Sequence, residues 1–408
     1  MTGEDDRVFS CRTLFVILRQ QVKFKKTIKA KGVFKMNEQE KMEQELQRII
    51  DQVSPLDETA MEKARKRMDI LTKPQGSLGR MEDLAIQLAG INGDFFPVDS
   101  RKRVVVMAAD HGITEEGISA YPSEVTAQML ANFTGGGAAI NVFGRQGDVE
   151  VEVVDVGVKV DSNLPGVKRV RVKAGSDNFR HQPAMSRSET LKAMMAGIEC
   201  AEEASADGIK VLATGEMGIG NTTASSAVMA ALSGYETTLV VGRGTGLDDE
   251  KLLHKQKVVS EALAMHKPDP RDPVGVLSLV GGLEIAALAG LIIGAALKRM
   301  PVVIDGFISS TAALAAVEMC PNARPYLVPS HLSAESGHAL LMDYLNLKPY
   351  IHMGMRLGEG TGAVLAMNLL EAAARVTLEM ATFEDANVSN KEQKDREERG
   401  LKTKGEEQ

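Results

Sequence analysis

One pattern recurs along this chain and limits the folds open to it: a short apolar run stops on a polar or glycine-rich turn, and a helical pattern follows. Arg103 to Ala109 stops at Asp110-His111-Gly112, and Ile209 to Ala213 stops at Thr214-Gly215-Glu216. Pro301 to Ile304 stops at Asp305-Gly306, and Tyr350-Ile351 runs into alternating glycines around Glu359. Val149 to Val156 and the run after Pro325 complete the set. Apolar runs without alternation read as strands buried on both faces, and intervening helical stretches supply the crossovers of a parallel sheet. Such a chain is expected to be α/β, with its ligands at the carboxyl ends of the strands.

Composition agrees. The 408 residues are 44% hydrophobic but only 4% aromatic, with no Trp, 38 Gly and 21 Met, which suits helices packed on a parallel sheet better than an all-β fold. A net charge of −7 argues against general nucleic-acid affinity, which needs an excess of Lys and Arg. Cys11, Cys200 and Cys320 are too scattered for a disulfide framework or a metal motif, so a cytoplasmic setting is expected. The most apolar helix, Ile285 to Leu297, is too short to span a bilayer. Residues 1–36, with nine basic residues against three acids before Met36, read as a disordered extension or a start set too early. Residues 387–408 read as a disordered tail. Asn37 to Ile70 reads as two helices split at Ser54-Pro55, and 157–188 as a surface excursion.

Several stretches carry candidate chemistry. Glycines on both sides of Glu359 remove the Cβ atoms that would block a flat ligand, which fits a general base; a helix-start carboxylate is the alternative. Gly215-Glu216-Met217-Gly218-Ile219-Gly220-Asn221-Thr222-Thr223 is a strand, turn and helix start of the kind that cradles a phosphate, unless its glycines serve only close packing. Gly242-Arg243-Gly244-Thr245-Gly246 forms a second glycine turn, with Arg243 and Lys255 as cations for the same anion. Glu284 and Asp305 are suitable acceptors for ribose hydroxyls or, alternatively, helix caps. The hydroxyl-rich stretch around Ser333 lies near a further strand end. Asp110 and His111 lack further ligands at metal spacing, so no metal is expected. Ser77, Gln75 and Arg80, in a turn-rich loop, either join two helices or meet a ligand.

Six motifs taken in order resemble the nicotinate-nucleotide–dimethylbenzimidazole phosphoribosyltransferase family, from about Asn37 to Val388. They are Lys73-Pro74-Gln75-Gly76-Ser77-Leu78-Gly79, Ala109-Asp110-His111-Gly112, Gly135-Gly136-Gly137-Ala138-Ala139-Ile140-Asn141, Gly215 to Thr223, Gly242 to Gly246, and Arg356-Leu357-Gly358-Glu359-Gly360-Thr361-Gly362. The resemblance implies a Rossmann-like parallel sheet (96–349) with a small helical lobe from both chain ends (37–95 and 350–386), working as a homodimer without a cofactor. It implies transfer of phosphoribose from nicotinate mononucleotide to 5,6-dimethylbenzimidazole or a related base, with Glu359 as base and Glu216 as a second carboxylate. The phosphate would lie on Gly218, Gly220, Asn221, Thr222, Gly242, Gly244, Thr245, Gly246 and Lys255. Ribose would meet Glu284, Asp305 and Ser333, and the aromatic base Tyr121, Met129, Met217 and Leu357. Transfer to adenine or a phenol, a non-catalytic subunit of a related heterodimer, and a nucleotide-binding oxidoreductase are the alternatives.

Overall fold

The structure, a computed structural model, describes residues 36–161, 163–244 and 246–389. The expectations for residues 1–35 and 390–408, and for Thr245, lie outside the described residues. Six strands, β1 (Lys102–Ala109), β2 (Val149–Gly157), β3 (Val167–Arg169), β4 (Val211–Met217), β5 (Val302–Ile304) and β6 (Leu327–Pro329), form one sheet in the order β3-β2-β1-β4-β5-β6, every neighbour parallel. The order reverses between β1 and β4, and a crevice at that reversal is where open α/β sheets bind ligands.

The helices before β2 are α1 (Glu38–Gln52), α2 (Glu58–Ile70), α3 (Arg80–Asn92), α4 (Glu124–Thr134) and α5 (Ala139–Gly147). There follow α6 (Arg187–Ala206), α7 (Asn221–Ser233), α8 (Thr237–Val240), α9 (Asp249–His266), α10 (Pro273–Val280) and α11 (Leu283–Leu297). The chain ends with α12 (Phe307–Met319), α13 (Ser336–Tyr344) and α14 (Thr361–Glu379). Side chains of β1 alternate between two apolar layers, as strand geometry requires. Val105, Met107 and Ala109 face α6, α7 and α11, whereas Val104, Val106 and Ala108 face α3, α4 and α14.

The second layer joins the two ends of the described chain. Leu71 bridges Thr382, and Arg67 donates to the carbonyls of Thr377 and Met380 at 3.0 and 2.8 Å. These helices share their core with the sheet. The stretch 157–188 is not a purely surface excursion: it contributes edge strand β3 and buries Phe179, Ala184 and Met185. The polar side chains of Val167–Arg169 concealed that strand, since an edge strand needs no continuous apolar run. Cys200 and Cys320 are buried and unpaired. Among the described residues no helix is long and apolar enough to cross a membrane.

Candidate active site

The segment leading to Glu359 is anchored where β6 ends. Tyr350 and Ile351 both donate their N–H to Ser330 O at 3.0 and 2.9 Å, and Leu332 N–H donates to Ile351 O at 2.9 Å. Arg80 stacks over Tyr350 at 4.0 Å and donates to Pro349 O at 2.8 Å. The expected buried strand at Tyr350-Ile351 is therefore corrected: one bridge, between His331 and Ile351, is all that forms. Its neighbour is the irregular stretch after β6, so no ladder can extend, and Met353 emerges 68% exposed.

Glu359 has φ +61° between Gly358 at +87° and Gly360 at +89°, a left-handed run that only its glycine neighbours adopt without strain. Asp305, at the end of β5, holds the turn: its Oδ2 accepts from Gly360 N–H (3.2 Å) and its Oδ1 from Gly362 (2.8 Å) and Ala363 (3.1 Å). Glu359 is 6% exposed, and its Oε2 accepts from Ile140 N–H at 3.1 Å, at the N-terminus of α5. Burial raises its pKa above the usual carboxylate range, opposed by the Ile140 N–H, with Asp305 raising it further.

Glu216, near the end of β4, belongs to the same cluster. A methyl group at Gly358 would run into its carboxylate. Asn221 Nδ2 donates to Glu216 Oε2. Burial pushes Glu216 up to about 8, with Asp305, Glu284 and Glu359 adding to the rise and the Asn221 bond opposing it. Two carboxylates with raised proton affinity thus meet at the strand ends, an arrangement suited to moving a proton or answering a nearby cation.

The two glycine turns meet through Lys255. Its Nζ donates to Thr222 Oγ1 (2.9 Å) and to Gly242 O (3.3 Å), joining the start of α7 to the second turn. Lys255 is 1% exposed, and burial lowers its pKa to about 8 against the attraction of Glu335. A Cβ on Gly244 would lie 3.0 Å from Thr222 Oγ1 and 3.4 Å from Lys255 Nζ. Gly220, at φ +98°, has no room for one beside Thr114 Cγ2, 2.9 Å away. Arg356, three residues before Glu359, donates to Gly244 O at 3.2 Å. It lines a cleft of roughly 550 Å³ together with Arg243, Gly244, Gly246, Glu335 and Ser336.

Not every expected contact is open to a ligand. Ile219 N–H is taken by Thr126 Oγ1 (3.1 Å), and the N–H groups of Asn221 and Thr223 by the carbonyls of Gly218 and Gly220. The Asn221 side chain is occupied by Glu216, and Gly218 packs against Ala109 O and His111. Arg243 is tied to Leu247 O of its own loop and to Asp249 at the start of α9. Glu284 is fully buried, with Oε1 2.7 Å from His111 Nε2 and Oε2 without a hydrogen-bond partner among the described residues. Asp305 is likewise 1% exposed, with both oxygens engaged on N–H groups at the α14 start, which it caps. Ser333 is 7% exposed; its N–H donates to His338 Nδ1 (2.8 Å) and its Oγ accepts from Glu335 N–H (3.3 Å). Met129 and Met217 are half-buried against the α14 layer, whereas Tyr121 and Leu357 are exposed.

Among the described residues no group of three or more His, Cys, Asp or Glu is placed to hold a metal ion. Asp110 instead accepts from Lys159 N–H at 2.7 Å, and His111 faces Glu284. The Ile140 N–H and Arg356 escaped notice as single residues. Their signal lay in the motifs Gly135 to Asn141 and Arg356 to Gly362, where the glycines announce close approach without saying to what.

Comparison with known proteins agrees with this geometry. A family model described as Phosphoribosyltransferase matches residues 53–388. The nicotinate-nucleotide–dimethylbenzimidazole phosphoribosyltransferase of Desulforudis audaxviator is 54% identical over 345 residues, covering 84% of this chain and 98% of the relative. That of Chloroflexus aggregans is 52% identical over 349 residues, covering 85% and 99%. A crystal structure of the Thermus thermophilus enzyme of the same name superposes with a TM-score of 0.78 at 45% identity, covering 82% of this chain and 100% of that one. With the family model spanning most of the chain and relatives above half identity, this chain belongs to the nicotinate-nucleotide–dimethylbenzimidazole phosphoribosyltransferase family.

Proposed function

We propose that the chain transfers phosphoribose from nicotinate mononucleotide to 5,6-dimethylbenzimidazole, giving α-ribazole 5′-phosphate and nicotinate, in assembly of the cobalamin nucleotide loop. Family membership supports the reaction. The observation that carries its assignment to these residues is the linkage of the Glu359 turn to both anion turns, through Gly358 against Glu216 and through Arg356 on Gly244.

In this reading the phosphate lies by Thr222, Gly242 to Gly246 and Lys255, and C1′ is directed at Glu359. A benzimidazole nitrogen forms the new bond to C1′ while the bond to the pyridinium nitrogen breaks, its electron pair leaving with nicotinate. The other benzimidazole nitrogen gives its proton to Glu359. A pyridinium departs without protonation, so one base suffices and no general acid is needed. Attack from the face opposite nicotinate inverts C1′, and no covalent enzyme intermediate is formed. Glu216, ionised when the pyridinium ring of the nucleotide lies beside it, stabilises positive charge developing on the ribosyl group. Met129 and Met217 supply an adaptable wall for the base, with Tyr121 and Leu357 at its exposed side. Ser333, beside the strand ends, serves the ribose.

A homodimer is part of this reading, supported by the exposed apolar Met353 and Leu357 on the Glu359 segment. A cytoplasmic setting fits the buried unpaired thiols of Cys200 and Cys320. The test is incubation of the purified chain with nicotinate mononucleotide and equal concentrations of 5,6-dimethylbenzimidazole, adenine and p-cresol. Nicotinate release with α-ribazole phosphate as the main product is expected. Absence of product with every base would refute transfer, and preference for adenine or p-cresol would replace the assigned acceptor.

A further inference from the structure

Among the described residues, Asp305 is the one buried carboxylate at this end of the sheet that is bound on both oxygens to main-chain N–H groups of the segment carrying Glu359. Its own N–H is fixed by Thr214 Oγ1 at 3.2 Å, so β4, β5 and the start of α14 are tied at a single residue. The bonded amides follow a residue with φ +61°, a conformation that a non-glycine residue keeps only when its surroundings enforce it. The titratable groups facing Asp305 are Glu216 from β4, Glu359 from the turn, and His331 after β6, whose Nδ1 lies 3.7 Å from Oδ1.

We propose that Asp305 is a positioning residue for the transfer reaction, holding the Glu359 turn in its left-handed conformation. It touches no substrate; it acts through the three N–H groups and through its charge. This inference rests on the transfer reading above for its kinetic consequences, but the tether itself does not. Both glutamates bind their protons more tightly beside Asp305, so removing its charge makes each a weaker base.

The test joins Asp305→Asn kinetics with amide exchange on the wild-type protein. In Asp305→Asn the amide nitrogen faces main-chain N–H donors and cannot accept from them. The expected result is a kcat lower by about 100-fold, the cost of a misplaced catalytic group. The dissociation constant for nicotinate mononucleotide should stay essentially unchanged, and the acid limb of the kcat profile should move to lower pH. In the wild type, the amides of Gly360, Gly362 and Ala363 should exchange slowly and as a group. A variant with wild-type kcat, or one whose losses come with an unmoved acid limb, would overturn the proposal. So would free exchange of those amides in the wild type, a result that needs no variant to fold. If the wild-type chain made no product from any base, the transfer reading would fail while the exchange measurement still decided the tether.

Discussion

Glu216 and Glu359 are the same residue type held in different ways, and the difference is testable. Glu359 has a backbone N–H on its carboxylate, whereas Glu216, equally buried, has an amide side chain as its donor. A Glu216 pKa raised from 4.5 to about 8 means that the folded state holds a proton which the unfolded chain releases at lower pH. Stability from this residue therefore falls as pH rises from about 4.5 to about 8, and levels off above that. Glu216→Gln, which keeps an acceptor for Asn221, should raise the melting temperature clearly at pH 8 and hardly at pH 4. The gain corresponds to on the order of a few kcal/mol. An equal gain at both pH values in a thermal melt would show that Glu216 ionises freely in the folded state. Glu359 stood out in the sequence because glycines on both sides of an acid mark a carboxylate that something approaches closely, whereas Glu216 was singled out by resemblance to the family. For Glu284 and Asp305 the residues alone left the role open, since an acid at a helix start or a strand end reads alike whether it meets a sugar hydroxyl, a histidine or a helix start.

The two glycine turns and the Glu359 turn work as elements, each a strand or loop end handing over to a helix. Lys255 joins the two glycine turns, and in the proposed reading it supplies their positive charge. It is cationic below about 8 and loses its proton above, so affinity for nicotinate mononucleotide should fall as pH rises through about 8. Titration calorimetry at pH 7 and pH 9 checks this, and equal affinities would remove Lys255 from the anion site. Gly358→Ala brings a methyl group onto the Glu216 carboxylate at a φ of +87°. It should cut kcat strongly, by roughly 100-fold, with little change in nucleotide binding. Unchanged turnover would mean that the approach of Gly358 to Glu216 has no catalytic consequence. At this scale the helix starts at Asn221 and Thr361 could be anticipated from residues, because glycine followed by Asn or Thr marks a helix N-terminus. The false strand at Tyr350 arose because an apolar pair before glycines looks the same whether it joins a ladder or lies on a loop.

At the level of the molecule, a parallel sheet of order β3-β2-β1-β4-β5-β6 puts the carboxyl ends of all six strands on one side, Glu216 and Asp305 among them. A sequence announces strands and their polar ends, but not which strands become neighbours; the reversal between β1 and β4 is a tertiary fact. Arg80 links α3 to this side by gripping Pro349 and stacking on Tyr350. Arg80→Ala should leave the sheet intact and lower kcat through a looser Glu359 segment, detected as faster amide exchange over residues 350–360; unaltered exchange there would dismiss the link. The central claim is that Glu359 accepts the proton of the incoming base while the nucleotide is held elsewhere. The most direct measurement is Glu359→Gln assayed for both turnover and nucleotide binding. Turnover should fall about 100- to 10,000-fold, the usual worth of a general base, with the dissociation constant for nicotinate mononucleotide nearly unchanged; full turnover in this variant would contradict the account.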